Sequence, residues 1–224
     1  MKKIIIVYFG FVNDKIQWWN IIGEQLLQLK SNGILTLSEL HVFLSSESNE
    51  CLKQCEFKVK QLIPESHTYT SNVNNYEYEG INLVWNLAVK SPENIYLYFH
   101  SKGISSTSNH RSMSERKLFK TIIDSWKNVI DIFSDNPNIN KVGLTASEPG
   151  WMWFNFWWAR GTYLSKCEQP IITTRRHYYE DWLCRRIKDA PASNLQECFS
   201  LADNKSGIYY TPFDACKKLE SIKI

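Results

Sequence analysis

A potentially cationic pair of side chains follows a short apolar run near the middle of the chain. Residues 95–99 are rich in β-forming side chains, and His100, Ser101, Lys102 and Gly103 follow directly. Such a run is typical of a strand that is covered on both faces. Ligands of open α/β sheets bind beyond the carboxyl ends of the strands. His100 and Lys102 are two residues apart, share one face of an extended segment, and could neutralise an anion such as a diphosphate. The alternative is a plain strand end followed by a polar loop.

Tryptophan is the unusual feature of the composition. Most of the nine tryptophans cluster in three places, and residues 151–159 are almost wholly aromatic and apolar. Large aromatic side chains usually fill protein cores. Their flat rings also stack on the apolar faces of sugars, so the clusters are consistent with either a core or a sugar-binding surface.

The length and composition of the chain are typical of a single-domain protein without a transmembrane segment. A length of 224 residues fits one domain, and the net charge of +3 is scattered, so no nucleic-acid partner is expected. The apolar run 4–9 predicts a first strand rather than a signal peptide, and no transmembrane segment is predicted. The six cysteines lack a metal-binding spacing and indicate reduced thiols in a cytoplasmic protein.

Apolar periodicity predicts alternating strands and helices, which indicates an α/β fold with a largely parallel sheet. Residues 68–78 are polar and rich in turn-forming residues. The predicted strands are 3–9, 39–44, 57–63, 95–99, 141–146 and 207–210, and the predicted helices are 15–29, 45–55, 80–89, 113–133, 160–167, 179–188 and a terminal helix.

Three segments, taken in order, resemble a known family: the strand end 100–103, the segment 155–160 (Asn-Phe-Trp-Trp-Ala-Arg) and the helix start 180–183. They are similar to the GT-A class of nucleotide-sugar glycosyltransferases. More narrowly, they resemble small bacterial and large-DNA-virus enzymes, and a similar His-x-Lys occurs in rhamnan-synthesis type transferases. The resemblance implies a GT-A (Rossmann-like) mostly parallel sheet flanked by helices. It also implies a single domain over 1–224, with a nucleotide-sugar-binding half at 1–103 and an acceptor and catalytic half at 104–224.

The resemblance also implies where the donor binds. The central strand of most such enzymes ends in Asp-x-Asp, whose carboxylates hold a divalent metal, whereas this chain has His100, Ser101 and Lys102 there. Basic groups can neutralise a diphosphate directly, so we expect no required metal. The alternative is Mn²⁺ or Mg²⁺ held by Glu77 and Glu79, which could equally be acids at a helix amino terminus. The donor-binding residues implied are Tyr8, Phe9, Gly10, Asn82, His100, Ser101, Lys102 and Gly103.

The acceptor side follows from the same resemblance. Asn155 would bond a sugar hydroxyl, and Trp157 or Trp158 would stack on a ring. Adjacent strand residues point to opposite faces, so only one of the two tryptophans would touch a ligand. Glu180 and Asp181 match the acidic pair of inverting members, with Asp181 the first choice as general base and Glu180 the second. The alternative for this pair is again a helix amino terminus.

The resulting hypothesis is a glycosyltransferase that moves a sugar from a nucleoside-diphosphate donor, most simply UDP and next dTDP, to a hydroxyl of a glycan acceptor. The sequence does not distinguish transfer with inversion from transfer with retention of the configuration at the anomeric carbon. The alternatives are a carbohydrate-binding module without catalysis and a protein that binds nucleotides or nucleic acids.

Overall fold

The structure of the protein is a computed structural model, which describes residues 3–13, 17–101, 110–175 and 177–224. Within them, the strands are β1 (Ile4–Phe11), β2 (Ser38–Ser45), β3 (His67–Ser71), β4 (Ile95–His100), β5 (Lys141–Gly143), β6 (Trp157–Arg160), β7 (Cys198–Ser200) and β8 (Lys205–Ser206). The helices are α1 (Trp19–Ser31), α2 (Asn49–Leu62), α3 (Tyr78–Lys90), α4 (Met113–Leu118), α5 (Trp126–Asp135), α6 (Gly161–Leu164), α7 (Tyr178–Asp181) and α8 (Pro212–Ser221).

The strands form one sheet in the order β3-β2-β1-β4-β6-β5-β7-β8. The first four are mutually parallel, and β5 is parallel to β7. Strand β6 runs antiparallel to both β4 and β5, and β8 runs antiparallel to β7. The predicted α/β class with a mostly parallel central sheet flanked by helices is therefore confirmed.

Helices cover both faces of this sheet. One face packs on α1, α2, α4 and α5, and the other packs on α3, α6 and α7. The chain runs from β1 outward to β2 and β3, and then returns through α3 to place β4 on the other side of β1. The winding direction thus reverses between β1 and β4, and the carboxyl ends of two such strands are where open α/β sheets bind ligands.

The first turn of α3 packs closely against these two strands. A Cβ atom on Gly80 would lie 2.7 Å from Cβ of Phe9 and 3.0 Å from the ring of Tyr98, so a larger residue would push the helix away. Gly80 therefore fixes the amino terminus of α3 directly over the ends of β1 and β4.

Two predicted elements were wrong. Residues 57–62 of the predicted strand 57–63 continue α2 instead, since Leu52, Cys55 and Val59 are buried at helical spacing while Phe57 is exposed. The predicted turn-rich segment 68–78 contains most of the edge strand β3, whose polar sequence reflects its incomplete burial.

Three other boundaries differ from the predictions. The predicted helix 113–133 divides into α4, a wide turn at Phe119–Ile123 and α5, where the Trp158 indole donates to the Ile122 carbonyl over 2.8 Å. The predicted strand 141–146 is shorter, and 207–210 adds only an isolated bridge at Tyr209. All six cysteines fall in the described ranges and are free thiols. No helix among the described residues combines the length and apolar character needed to cross a bilayer.

Candidate functional site

The candidate site lies where β1 and β4 end side by side. The backbone N–H of Ser101 donates to the Phe9 carbonyl over 2.8 Å, and the Ser101 hydroxyl accepts from the Phe11 N–H over 2.9 Å. Ser101 is buried and ties the two strand ends together. Its hydroxyl oxygen therefore already accepts one hydrogen bond from the backbone. The predicted Lys102 and Gly103 lie outside the described residues.

His100 faces a carboxylate at this edge of the sheet. Its Nδ1 atom lies 3.5 Å from Oε1 of Glu77, the residue just before α3, and both side chains are mostly buried. The imidazole also packs beside Tyr98 and Phe156, with ring centroids 6.5 and 5.3 Å away. The alternation of β4 places His100 and Tyr98 on the same face, toward α3. The structure thus joins two residues that the sequence identified separately.

Asn155 is the third member of this cluster. Its amide donates a short hydrogen bond to the Glu77 carboxylate, and its carbonyl oxygen accepts from the Trp157 indole over 2.8 Å. Phe154 and Asn155 have φ angles of 73° and 55°, in the left-handed region that disfavours most side chains. Residues held in such conformations concentrate at functional sites. The strained turn aims the buried Asn155 amide at Glu77.

Tyr98 is a neighbour that the sequence analysis missed. Burial raises the pKa of its hydroxyl well above the usual value, and the nearby Glu77 carboxylate raises it further. The phenol beside Glu77 therefore stays neutral. Its position two residues before His100 on one strand was the available signal.

Helix α7, which packs on the 153–155 turn, carries the predicted acidic pair. Asp181 accepts from Arg185 over 2.8 and 3.1 Å and from Arg175 over 2.7 Å. Two guanidinium groups thus engage both oxygens of the Asp181 carboxylate. Glu180 has a looser contact, 3.6 Å from the exposed His177 imidazole. The structure therefore gives Glu180 a looser charged contact than Asp181.

Four aromatic residues that were predicted as ligand contacts have buried side chains. Tyr8 is wholly buried and donates to Gln25 over 2.7 Å, and Phe9 is buried under α3, so both side chains belong to the core. Trp157 and Trp158 do point to opposite faces, as predicted, but only 1% and 0% of their surfaces are exposed. Both rings fill the core, so neither is placed to stack on a sugar.

The remaining predicted residues have simpler surroundings. Gly10 packs in the sheet, where an added Cβ would meet Leu44 at 3.0 Å. Asn82 lies on α3, and its buried side-chain oxygen has no hydrogen-bond partner among the described residues. Glu79 accepts a long hydrogen bond from Asn75 at 3.4 Å. Among the described residues, Glu77 and Glu79 gather no third acid, histidine or cysteine as a metal ligand.

Comparison with known proteins leaves the function open. No protein-family model matches the sequence, and no curated protein matches it. Similar solved structures include a cytidylyltransferase from Leptospira borgpetersenii serovar Hardjo-bovis, with a TM-score of 0.48 and 13% identity over 80% of this chain and 68% of that one. Another is a 4-diphosphocytidyl-2C-methyl-D-erythritol synthase, with a TM-score of 0.47 and 11% identity over 98% of both chains. Likenesses this weak carry no conclusion about activity.

Proposed function

We propose that the protein is a glycosyltransferase that transfers a sugar from a nucleoside-diphosphate sugar, most simply a UDP-sugar, to a hydroxyl group of a glycan. The observation that carries this proposal is the convergence of His100, Glu77 and Asn155 where the winding of the sheet reverses. Ligands of this sheet architecture bind at that place. The resemblance of the strand-end sequence to GT-A transferases supplies the substrate class.

The donor diphosphate would lie beyond the ends of β1 and β4. The His100 imidazolium and the Lys102 ammonium, which is two residues after His100 in sequence, would neutralise the charge that develops on the leaving diphosphate. Glu77 would hold the imidazole, and Asn155 would hold Glu77. In this proposal Asn155 is a positioning residue rather than an acceptor contact, because both ends of its amide are already bonded.

The transfer itself needs a proton acceptor. The acceptor oxygen bonds to the anomeric carbon, the bond from that carbon to the diphosphate oxygen breaks, and the hydroxyl proton moves to a carboxylate. The geometry favours Glu180 over Asp181 for that role, since two arginines occupy Asp181. In this proposal the diphosphate binds without a metal ion. The alternative is that Glu77 and Glu79 hold Mn²⁺ or Mg²⁺.

Binding of UDP tests the donor site. We expect UDP to raise the melting temperature in the presence of EDTA, because a ligand that binds only the folded state stabilises it. Lys102→Ala should weaken UDP binding in calorimetry by about 1–3 kcal/mol, the scale of a charged hydrogen bond. Lys188→Ala, on a solvent-exposed lysine, is the matched control.

The outcomes separate the proposal from its alternatives. Unchanged UDP affinity in Lys102→Ala would remove the diphosphate assignment. Binding that EDTA abolishes and Mn²⁺ restores would favour the carboxylate metal site. Strong binding of polyanions that falls steeply with salt, without UDP stabilisation, would instead indicate a nucleic-acid-binding protein.

A further inference from the structure

A second cluster of chemically capable side chains lies on the sheet away from the strand ends just described. Glu39 and His41 lie on β2, and His67 begins the neighbouring edge strand β3, where it pairs directly with His41. Glu39 and His41 are two residues apart and therefore share one face. His41 is four residues before Ser45, the end of β2, which places it about 13 Å from the carboxyl edge of the sheet.

The three side chains converge on a single point. The Nε2 atoms of His41 and His67 lie 3.0 and 3.2 Å from the same carboxylate oxygen, Oε1 of Glu39. The ligating atoms all lie within 4.8 Å of one another. In a tetrahedral zinc site with bonds of about 2.0–2.1 Å, ligand atoms are separated by about 3.3–3.4 Å. The side chains are thus close to the spacing that one ion requires.

The surroundings orient these groups as the outer contacts of a metal site do. The His41 Nδ1 atom lies 3.1 Å from the Tyr69 hydroxyl, so an Nδ1–H can donate to Tyr69 and leave Nε2 as a ligand. The Lys3 ammonium pairs with Oε2 of Glu39, which leaves Oε1 facing the imidazoles. Contacts of this kind fix the tautomer of a ligating histidine and the orientation of a ligating carboxylate.

The two histidines of the cluster differ in their exposure to solvent. The His41 side chain is 4% exposed, whereas that of His67 is 53% exposed. The two rings stack with centroids 4.7 Å apart and an angle of 20° between their planes. One side of the cluster is therefore fixed in the protein, and the other is open to an ion and to water.

We propose that Glu39, His41 and His67 bind one divalent transition-metal ion, Zn²⁺ foremost, with water as the fourth ligand. Two imidazoles and one carboxylate suit zinc and leave one open position. The ion would join the edge strand β3 to β2, so it would also stabilise this edge of the sheet. The inference is independent of the proposed transferase activity.

Metal titration of the full chain tests this site. Protein stripped with EDTA and dialysed is titrated with Co²⁺, whose visible spectrum reports tetrahedral coordination, and with Zn²⁺ in calorimetry. We expect one equivalent of each ion to bind. His67→Ala and Glu39→Gln should weaken binding at least about 10-fold, and Tyr69→Phe, which removes only an outer contact, about 10-fold.

Controls keep the result interpretable. His177→Ala removes an exposed histidine outside the cluster and should leave the titration unchanged. Because His67 is half exposed, His67→Ala should fold, which circular dichroism checks. Absence of a tetrahedral Co²⁺ spectrum, or equal metal affinity in the parent protein and in His67→Ala, would overturn the proposal. The three side chains would then be joined only by hydrogen bonds and ion pairs.

Discussion

Replacing Asn155 should show how much its hydrogen bonds in the turn before β6 contribute to the stability of the protein. The side chain is almost fully buried, donates to the Glu77 carboxylate and accepts from the Trp157 indole. A hydrogen bond to a charged group contributes about 1.5–3 kcal/mol, and a buried N–H left without a partner costs about 1–3 kcal/mol. Because the two losses are coupled, we expect Asn155→Ala to lower the free energy of unfolding by about 3–4 kcal/mol.

A matched variant separates the side chain from the backbone. Asn155→Gly loses the same two hydrogen bonds, but glycine adopts the φ of 55° without the steric cost that alanine meets. We therefore expect Asn155→Gly to be more stable than Asn155→Ala by about 1 kcal/mol. Asn155→Asp keeps an acceptor for Trp157 but places a second carboxylate against Glu77, and it should regain stability as the pH falls and one acid is protonated.

The measurement is urea-induced unfolding followed by tryptophan fluorescence, since Trp157 itself is part of the network. Calorimetry with UDP on the same variants then tests whether Glu77, once released, still positions His100. Surface substitutions usually change the free energy of unfolding by no more than about 0.5 kcal/mol. If Asn155→Ala and Asn155→Gly also change it by no more than this, the hydrogen bonds of Asn155 do not stabilise the fold as proposed.

Two further predictions concern carboxylates. Glu180→Gln should abolish sugar transfer while keeping UDP affinity, whereas Asp181→Asn should retain more turnover; the reverse order in steady-state assays would restore Asp181 as the base. Burial alone would raise the pKa of Glu197, but the Lys141 ammonium 3.2 Å away and local hydrogen bonds hold it below the usual 4.5. This carboxylate therefore contributes stability above pH 4.5 that is lost as the pH falls through its folded-state pKa. Glu197→Gln should remove that part of the acid dependence and, by leaving the wholly buried Lys141 without its counter-ion, lower the free energy of unfolding at pH 7 by about 3–5 kcal/mol. Denaturant titrations at several pH values check this, and an unchanged acid slope would contradict it.

The elements nearest the candidate site were the ones that the sequence predicted well. The apolar runs of β1 and β4 and the periodicity of α3 all agree with the structure within a few residues. These signals are local, because burial on both faces or on one stripe of a helix is visible in the order of apolar residues. The alternation at 57–63 failed because a helical stripe begun at Leu52 overrode a short β-like pattern.

The contacts within the site were beyond the reach of local patterns. Glu77 and Asn155 are 78 residues apart and meet only because of the order of the strands. The same applies to Trp157 and Trp158, since a flat aromatic ring suits both a protein core and a sugar-binding surface, and the tertiary contacts decide between the two. The Glu39–His41–His67 cluster likewise required the register of β2 with β3.

The reversed direction of β6 limits what insertions this region can tolerate. Because β6 opposes β4, with Trp157 paired to Tyr98, its first residues begin beside the last residues of β4. Only Phe156 separates Asn155 from this pairing. One inserted residue there would move the amide by about 3.3 Å along the strand and turn it to the other side of the sheet. Residues 147–150 of the preceding turn do not pair with β4. Insertions that leave the Asn155 amide in place must therefore be made in that turn.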